Sequence, residues 1–145
     1  MKNLILPILF LVSISVFAQS HGDKFKELKI PFISERINLT PTEAEKFWPI
    51  YNKYDNSISE LRHKIRSIER KMKHESETIS DSEAKVLLTT LNNYESELVD
   101  TRKKLNKELL NILSPKKVLK LQVAEEAFKR QLFDRYVKKK LEKKQ

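Results

Sequence analysis

One apolar pattern in the middle of the chain restricts the possible folds more than any other feature. Eight apolar residues recur there at intervals that alternate between four and three positions. These residues are Phe47, Tyr51, Tyr54, Ile58, Leu61, Ile65, Ile68 and Met72. An average interval of 3.5 residues, kept over several heptads, is typical of a helix that packs along another helix as in a coiled coil. The pattern therefore predicts one long α-helix with a narrow apolar seam.

A second series with the same interval follows and predicts the partner of this helix. Its members are Ala84, Leu87, Leu91, Tyr94, Leu98, Thr101 and Leu105. A less regular series predicts one apolar side on the last helix, and its members are Val118, Leu121, Phe128, Leu132 and Tyr136. Helices of about 30 to 35 residues are about 45 to 52 Å long at 1.5 Å per residue. The sequence therefore predicts an elongated hairpin with long coiled-coil-like helices.

Helix-start signals divide the chain into four predicted helices. Thr40 and Glu43 form a capping box around a proline, in which each side chain accepts a hydrogen bond from the backbone of the other residue. Ser80 and Glu83 repeat this arrangement, and Ser114 followed by a proline marks a third start. We find no strand signal, so we predict an all-α fold. The predicted helices cover residues 23–37, 41–75, 81–112 and 115–140.

The composition excludes several classes of chemistry. Gly22 is the only glycine, so the chain lacks the glycine-rich loops that hold phosphates or dinucleotides. The absence of cysteine excludes disulfides, thiol catalysis and cysteine-based zinc or iron–sulfur sites. The sequence contains no catalytic constellation, and its glutamates stand beside lysines at helical spacing, where such pairs are ordinary surface support. We therefore expect a protein that is not an enzyme and needs no cofactor.

The first 18 residues have the pattern of a secretory signal peptide. Lys2 supplies the positive charge, an apolar stretch covers residues 4–16, and small residues precede a cleavage site after Ala18. The alternative is a single membrane anchor, but the apolar run is shorter than the roughly 20 residues that span a bilayer. We therefore expect an exported protein whose residues 19–145 form a single helical domain.

The chain is basic, with 29 Lys and Arg against 20 Asp and Glu and a net charge of +9. Acidic residues are interspersed throughout, and an exported protein does not meet chromosomal DNA, so we expect no nucleic-acid partner. Better candidates for partners are unfolded acidic chains, acidic envelope polymers and anionic membrane surfaces, the last in transient contact. The simpler explanation for most of these charges is a solvated helix face. The basic tail from Lys138 to Lys144 fits either a frayed helix end or an anion contact.

The narrow seams leave several large apolar residues without a predicted partner. These residues are Trp48, Ile50, Leu88, Val99, Leu110, Leu119, Phe133 and Val137. Some of them must pack against the short first helix or against a second copy of the chain, because a large exposed apolar patch usually marks an interface. We therefore predict a homodimer.

Two of the helix starts share one local pattern. Leu39-Thr40-Pro41 and Leu113-Ser114-Pro115 are 74 residues apart, and each joins a leucine, a hydroxyl cap and a proline at the first helical position. In an exported, cysteine-free, helical chain of this length, they resemble the two Leu-Thr-x-x-Gln motifs of the Spy/CpxP family of small periplasmic proteins.

The resemblance to this family runs from about Lys24 to Tyr136 and is greatest to its Bacteroidetes branch, whose members are often labelled sensors of an ECF-type sigma factor. Glu43 and Lys117 stand where the family motifs have Gln. The resemblance implies a periplasmic protein of four helices that forms a cradle-shaped antiparallel homodimer. It implies either ATP-independent chaperoning of unfolded envelope proteins or stress sensing through a membrane-bound regulator. The two substitutions leave both roles open.

Either role requires a surface that binds other proteins, and ten residues are candidates for it. Aromatic side chains among arginines can hold apolar and charged client segments loosely. The candidates are Phe47, Trp48, Tyr51, Arg62, Arg66, Arg70, Phe128, Arg130, Phe133 and Arg135. The alternative for the seam aromatics is packing in the core or the dimer, and for the arginines it is a solvated surface.

Two other interpretations compete with a chaperone or sensor. Cleavage after Ala18 would leave residues 19–21 at the amino terminus, and a free terminal amine with a histidine in third place, here His21, can chelate copper or nickel. His63 and His74 lie about 16 Å apart along one helix, so they cannot share an ion. The first alternative is therefore a periplasmic heavy-metal sensor or binding protein with weak Cu(II) binding at His21. The second is a purely structural coiled-coil spacer.

Overall fold

A computed structural model describes residues 21–143 of the chain. These residues form four α-helices and no strand, which confirms the predicted all-α fold. The helices are α1 (His21–Ile37), α2 (Pro41–Glu75), α3 (Asp81–Leu109) and α4 (Pro115–Glu142). The predicted and observed bounds of α2 agree. The third helix ends earlier than predicted, because residues 110–113 turn the chain towards α4.

The predicted signal peptide over residues 1–18 and its cleavage site lie outside the described residues. Within the described part of the chain, no helix is long and apolar enough to cross a bilayer. The basic tail begins inside α4, which continues from Lys138 to Glu142, and Lys144 is again outside the described residues.

The predicted helix starts are present with their hydrogen bonds. Thr40 Oγ1 accepts from the Glu43 N–H at 3.2 Å, and Glu43 Oε2 accepts from the Thr40 N–H at 2.8 Å. A second capping box of the same form begins α3. At α4 the Ser114 hydroxyl accepts from the Lys117 N–H, and the lysine returns no bond because its side chain has no acceptor. These caps set where the three longer helices begin.

A residue in the left-handed conformation ends α1. Asn38 has a φ of 57°, which asparagine adopts more readily than most residues. Its N–H donates to Glu35 O at 3.2 Å, and the Leu39 N–H donates to Ser34 O at 3.1 Å, which closes the last turn. The reversal occupies only residues 38–40, so α1 and α2 are closely connected.

The long helices α2 and α3 pack along each other. The Tyr54 hydroxyl donates to Glu108 near the end of α3, and the Lys64 ammonium lies 5.2 Å from the centroid of the Tyr94 ring. Residues later in α2 therefore contact residues earlier in α3, so the two helices are antiparallel.

The short helix α1 packs along α4 in the same manner. The Lys117 ammonium, near the start of α4, donates to the backbone oxygen of Asn38 just after α1. At the other end of α1, the rings of Phe25 and Phe128 lie edge to face with 5.2 Å between their centroids. α1 is therefore antiparallel to α4.

The core lies where all four helices meet. Its buried members are Ile33, Ile37, Phe47, Tyr51, Tyr54, Ile58, Leu105, Leu109, Leu113, Val118, Leu121 and Ala124. The α2 seam is buried from Phe47 to Ile65, whereas Ile68 and Met72 are half-buried. Of the predicted α3 seam, Leu105 alone is buried, because farther from the core α3 packs only along α2. Away from the core, the seam residues between α2 and α3 are therefore only half-buried.

A buried polar network joins α1, α2 and α4 beside this core. Lys29 is only 8% exposed; its Nζ lies 2.8 Å from Asp55 Oδ1 and 4.8 Å from the centroid of the Tyr51 ring. The Tyr51 hydroxyl donates to Glu125 Oε1 at 2.6 Å. Burial raises the pKa of the Tyr51 phenol, and the negative charges of Glu125 and Asp55 raise it further. The phenol therefore stays protonated and remains a donor.

Two adjacent leucines at the end of α3 test the position of the core. Leu109 is fully buried, whereas Leu110 is 48% exposed. We expect Leu109→Ala to lower the free energy of unfolding by about 2–5 kcal/mol because it leaves a cavity. Leu110→Ala should lower it by about 1 kcal/mol or less. Urea unfolding followed by circular dichroism measures both values, and equal losses would contradict this position of the core.

Candidate partner-binding surface

The two segments that resemble the family motifs meet where α2 and α4 begin. The Lys117 ammonium lies 2.5 Å from Glu43 Oε2 and donates to the Asn38 backbone oxygen at 2.7 Å. Leu39 is half-buried against the core, and Leu113 is buried within it. Glu43 and Lys117, each the fifth residue of one of these two segments, therefore bind each other although 74 residues separate them.

The Glu43 carboxylate is held in its charged form. The hydrogen bond from Lys117 is the largest cause that lowers the pKa of Glu43, and the backbone bond from Thr40 lowers it further. Both donors act on the ionised carboxylate, so the contact between the starts of α2 and α4 is an ion pair that the cap of α2 orients.

Of the three aromatic client-binding candidates near the start of α2, two belong to the core. Phe47 and Tyr51 expose almost nothing, and their rings stack with 5.1 Å between centroids. Trp48 is half-buried and stands edge-on to both rings, at 4.8 and 5.6 Å. As client-binding residues Phe47 and Tyr51 are therefore corrected to core residues, and Trp48 alone of the three reaches the surface.

Phe128 is also a core residue and not a surface residue. It is 4% exposed, and its ring lies 5.2 Å from Phe25 and 5.3 Å from Phe32, centroid to centroid. Because α1 lies over this part of α4, its two phenylalanines cover the ring. The sequence placed Phe128 on the apolar side of the last helix but did not indicate that the first helix would cover this side.

The three predicted arginines of α2 lie along one side of the helix. They follow each other at intervals of four residues, which places them on adjacent turns. Arg62 is half-buried, whereas Arg66 and Arg70 are exposed. Arg66 donates to His63 Nδ1 at 3.1 Å. We call Arg62, Arg66 and Arg70 the arginine row.

Arg62 lines two clefts beside α4. One, of about 250 Å³, lies between α2, α3 and α4 and also has Arg102 and Glu126 in its wall. The other, of about 500 Å³, lies between α1, α2 and α4 and is lined by five basic and two acidic side chains. The inner end of the arginine row therefore faces a basic recess.

α3 carries two large apolar side chains that are about half exposed. Leu88 and Val99 are 50% and 47% exposed, and an interval of 11 residues, close to three helical turns, places them on one face. Arg102 lies one turn after Val99 and shares a cleft with Arg62. Arg62 and Arg102 therefore lie on the same side of the α2–α3 pair. Arg66 and Arg70 extend the arginine row round α2 towards its outer face, because each step of four residues rotates about 40° round the helix. We call Arg62, Arg66, Arg70, Leu88, Val99 and Arg102 the α2–α3 surface.

The remaining predicted residues lie on α4. Arg130, Phe133 and Arg135 are exposed, Phe133 by 66%. A groove of about 960 Å³ follows α4 beside α1, and Leu119, Val123 and Arg130 contribute to its walls. Phe133 and Arg135 are two residues apart and therefore point to different sides of the helix. The structure does not bring all the predicted residues into one site, and α4 carries a surface of its own.

Arg102 and Val123 belong to these surfaces but were not among the predicted residues. Arg102 follows Val99 by three positions and Val123 follows Leu119 by four. Both Val99 and Leu119 had been recognised as apolar residues outside the seams. A spacing of three or four positions from these apolar residues was therefore the sequence signal that identifies Arg102 and Val123.

Among residues 25–143, whose side chains the structure describes, no group of three or more His, Cys, Asp or Glu side chains could hold a metal ion. The chelate hypothesis requires residues 19 and 20 together with His21. His21 begins α1, whereas residues 19 and 20 lie outside the described residues. Weak Cu(II) binding at His21 therefore stays a prediction.

Comparisons of this chain with protein-family models, with curated proteins and with solved structures found no match.

The ion pair at the start of α2 predicts a pH-dependent stability. A glutamate with a lowered pKa in the folded protein contributes stability above its ordinary pKa and loses that contribution as the pH falls through the lowered value. Glu43→Gln keeps an acceptor for the cap but removes the charge. We expect this variant to be less stable than the natural protein at pH 7 and the difference to shrink as the pH falls through the lowered pKa of Glu43.

Thermal unfolding between pH 3 and pH 7 measures this difference. Glu45→Gln is the matched control, because Glu45 is exposed on the same helix. A difference for Glu43→Gln that is independent of pH, or that Glu45→Gln reproduces, would contradict the ion pair.

Proposed function

We propose that this chain is an exported, non-enzymatic protein-binding factor of the Spy/CpxP type that acts in envelope stress and holds non-native periplasmic proteins without nucleotide. The observation that carries the proposal is the α2–α3 surface, where α3 exposes about half of two large apolar side chains and the two helices together carry four arginines. Unfolded chains offer apolar segments together with charge, and this surface can contact both. Export is taken from the pattern of residues 1–18.

The α2–α3 surface is suited to loose, reversible binding. Leu88 and Val99 are about 16 Å apart along the helix, and Asn92 and Glu95 lie between them on the same face, so they do not form a continuous apolar patch. Each arginine adds an aliphatic stem and a charged head that stays in water. A client held in this way is not enclosed, so it can dissociate or fold while it is bound.

The charge of the chain supports acidic clients. The net charge is +9, and the arginine row adds positive charge at the surface itself. Attraction between exposed charges weakens as salt is added, because the screening length shortens to about 3 Å at 1 M. Binding through the α2–α3 surface should therefore decrease at high salt but not vanish, since the apolar contacts remain.

The elongated, cradle-shaped antiparallel homodimer is part of this proposal. α2 has 35 residues and is therefore about 52 Å long, and α3 packs along it, so the α2–α3 surface is extended. Two copies would present two such surfaces to one unfolded chain. The second contact would then form at a high effective concentration, which strengthens binding without any new type of contact.

A stress sensor that reports to a membrane-bound regulator of an ECF-type sigma factor would use the same surface for a different partner. A structural coiled-coil spacer is less well supported, because a spacer has no need for exposed large apolar side chains, whereas Leu88 and Val99 are about half exposed. A heavy-metal sensor rests on His21 and on residues outside the described part of the chain. Client binding is therefore the function that we put to the test.

Suppression of aggregation tests the proposal. Reduced α-lactalbumin is an acidic, unfolded client, and the reductant does not affect a chain without cysteine. We expect the purified protein to suppress its aggregation without nucleotide and less effectively at high salt. Arg66→Glu combined with Arg70→Glu should raise the concentration for half-suppression by about threefold to tenfold, because two exposed attractions become repulsions. Light scattering measures the suppression.

Lys46→Glu combined with Lys104→Glu is the matched control, because both lysines are exposed outside the α2–α3 surface and the change in charge is the same. An equal loss in the control would show that net charge, and not this surface, binds the client. No suppression by a folded protein in several-fold excess would contradict chaperone-type binding and favour the sensor.

A further inference from the structure

The outer face of α4 carries a second heptad pattern that the core does not use. Residues on this face follow each other at intervals of four, three, four, three and four. They are Leu119, Val123, Glu126, Arg130, Phe133 and Val137. Phe128, which points into the core, lies on the opposite side of the helix. We call these six residues the α4 stripe.

The apolar members of the α4 stripe are exposed to an unusual degree. Leu119, Val123 and Phe133 are 63%, 64% and 66% exposed, and Val137 is 37% exposed. A regular apolar heptad on a helix normally faces another helix, because a single helix gains nothing from such a seam in water. The α4 stripe therefore lacks a covering helix within the described part of the chain.

The α4 stripe is symmetric about Phe128 in the chemistry of its residues. Leu119 and Val137 lie nine positions before and after Phe128, and both are apolar. Val123 and Phe133, five positions before and after, are also both apolar. Glu126 and Arg130, two positions before and after, carry opposite charges. When a second copy of the helix runs in the opposite direction, each apolar residue of the stripe therefore faces an apolar residue, and each charged residue faces one of opposite charge.

We infer that the α4 stripe binds the α4 stripe of a second copy of this chain, antiparallel and centred on residue 128. A two-fold axis places each residue opposite the partner residue that lies equally far from Phe128 on the other side. The same face of each copy therefore supplies both sides of the interface. Leu119 then meets Val137, and Val123 meets Phe133. Two Glu126–Arg130 ion pairs form at the centre. This inference deepens the dimer of the proposed function, because it names the face and the register.

The central charges favour a second copy over other occupants. An anionic membrane surface would attract Arg130 but repel Glu126 in the middle of the stripe, and an apolar client segment offers neither residue an opposite charge. Glu126 already contacts Lys129 of its own chain at 2.5 Å, but this exposed pair contributes little stability and leaves the carboxylate accessible. The groove beside α1 adds Phe32 and Arg36 as a side wall for the incoming helix.

Charge reversal tests the inference. Glu126→Arg and Arg130→Glu, made singly, would each place two pairs of like charges at the centre of the interface. We expect each to weaken dimerisation of the purified protein at least about tenfold, since like charges in such positions are costly. The double variant restores opposite charges at both central contacts and should dimerise within about threefold of the natural protein. Sedimentation equilibrium measures the three affinities.

Glu97→Arg is the matched control, because Glu97 is exposed on α3 and should leave dimerisation unchanged. A monomeric natural protein would overturn the inference. Single variants that dimerise as well as the natural protein, or a double variant no better than the single ones, would also overturn it.

Cysteine substitution tests the register independently, since the chain contains no cysteine of its own. Val123→Cys and Phe133→Cys should form an intermolecular disulfide when the two variants are mixed and oxidised. Neither variant alone should do so, because identical positions would lie about 15 Å apart along the axis, beyond the reach of a disulfide. A disulfide in the unmixed variants, or none in the mixture, would overturn the register.

The outcomes of these tests are separable from those for client binding. A monomer that suppresses aggregation would overturn the α4 pairing and leave the proposed function standing. A dimer in this register without any suppression would support the pairing and contradict chaperone-type binding.

Discussion

The contact between α2 and α4 holds the fold together. Close backbone packing joins α2 to α3 and α1 to α4, so the molecule consists of two helix pairs. Long polar side chains and large rings span the wider gap between the pairs. Lys117 binds Glu43 where both helices begin, and about two turns farther on Tyr51 binds Glu125. Because these contacts advance in the same direction along both helices, α2 and α4 are parallel, and the core fills the space between them.

This arrangement concentrates burial at one end of the long helices and thereby creates the exposed surfaces. Within the described part of the chain, no third helix covers the α2–α3 pair beyond Ile65, and every residue of α4 from Phe133 to Glu142 is exposed. The half-exposed apolar residues of α3 and the α4 stripe are therefore consequences of how the two pairs meet. We assign the first to non-native clients and the second to another copy of the chain, so the two proposed contacts do not compete for one face.

Local features of the fold could be predicted from the sequence, whereas the contacts between distant segments could not. Capping residues such as Thr40 and Ser80 act within one turn, so the starts of α2 and α3 were predicted correctly. The pairing of Glu43 with Lys117, and the position of Lys29 between Asp55 and Tyr51, depend on how helices pack, which no local pattern records. Phe128 was predicted on the apolar side of the last helix and was also a client-binding candidate, and the placement of α1 over α4 buries it.

Carbene footprinting of the protein, with and without an unfolded acidic client, tests most directly whether the α2–α3 surface binds the client. The account predicts that the client lowers labelling at Leu88 and Val99 and leaves the buried Leu109 unlabelled in both states. Protection confined to α4, or labelling of Leu109 that appears when the client binds, would contradict a surface that holds clients while the core stays folded.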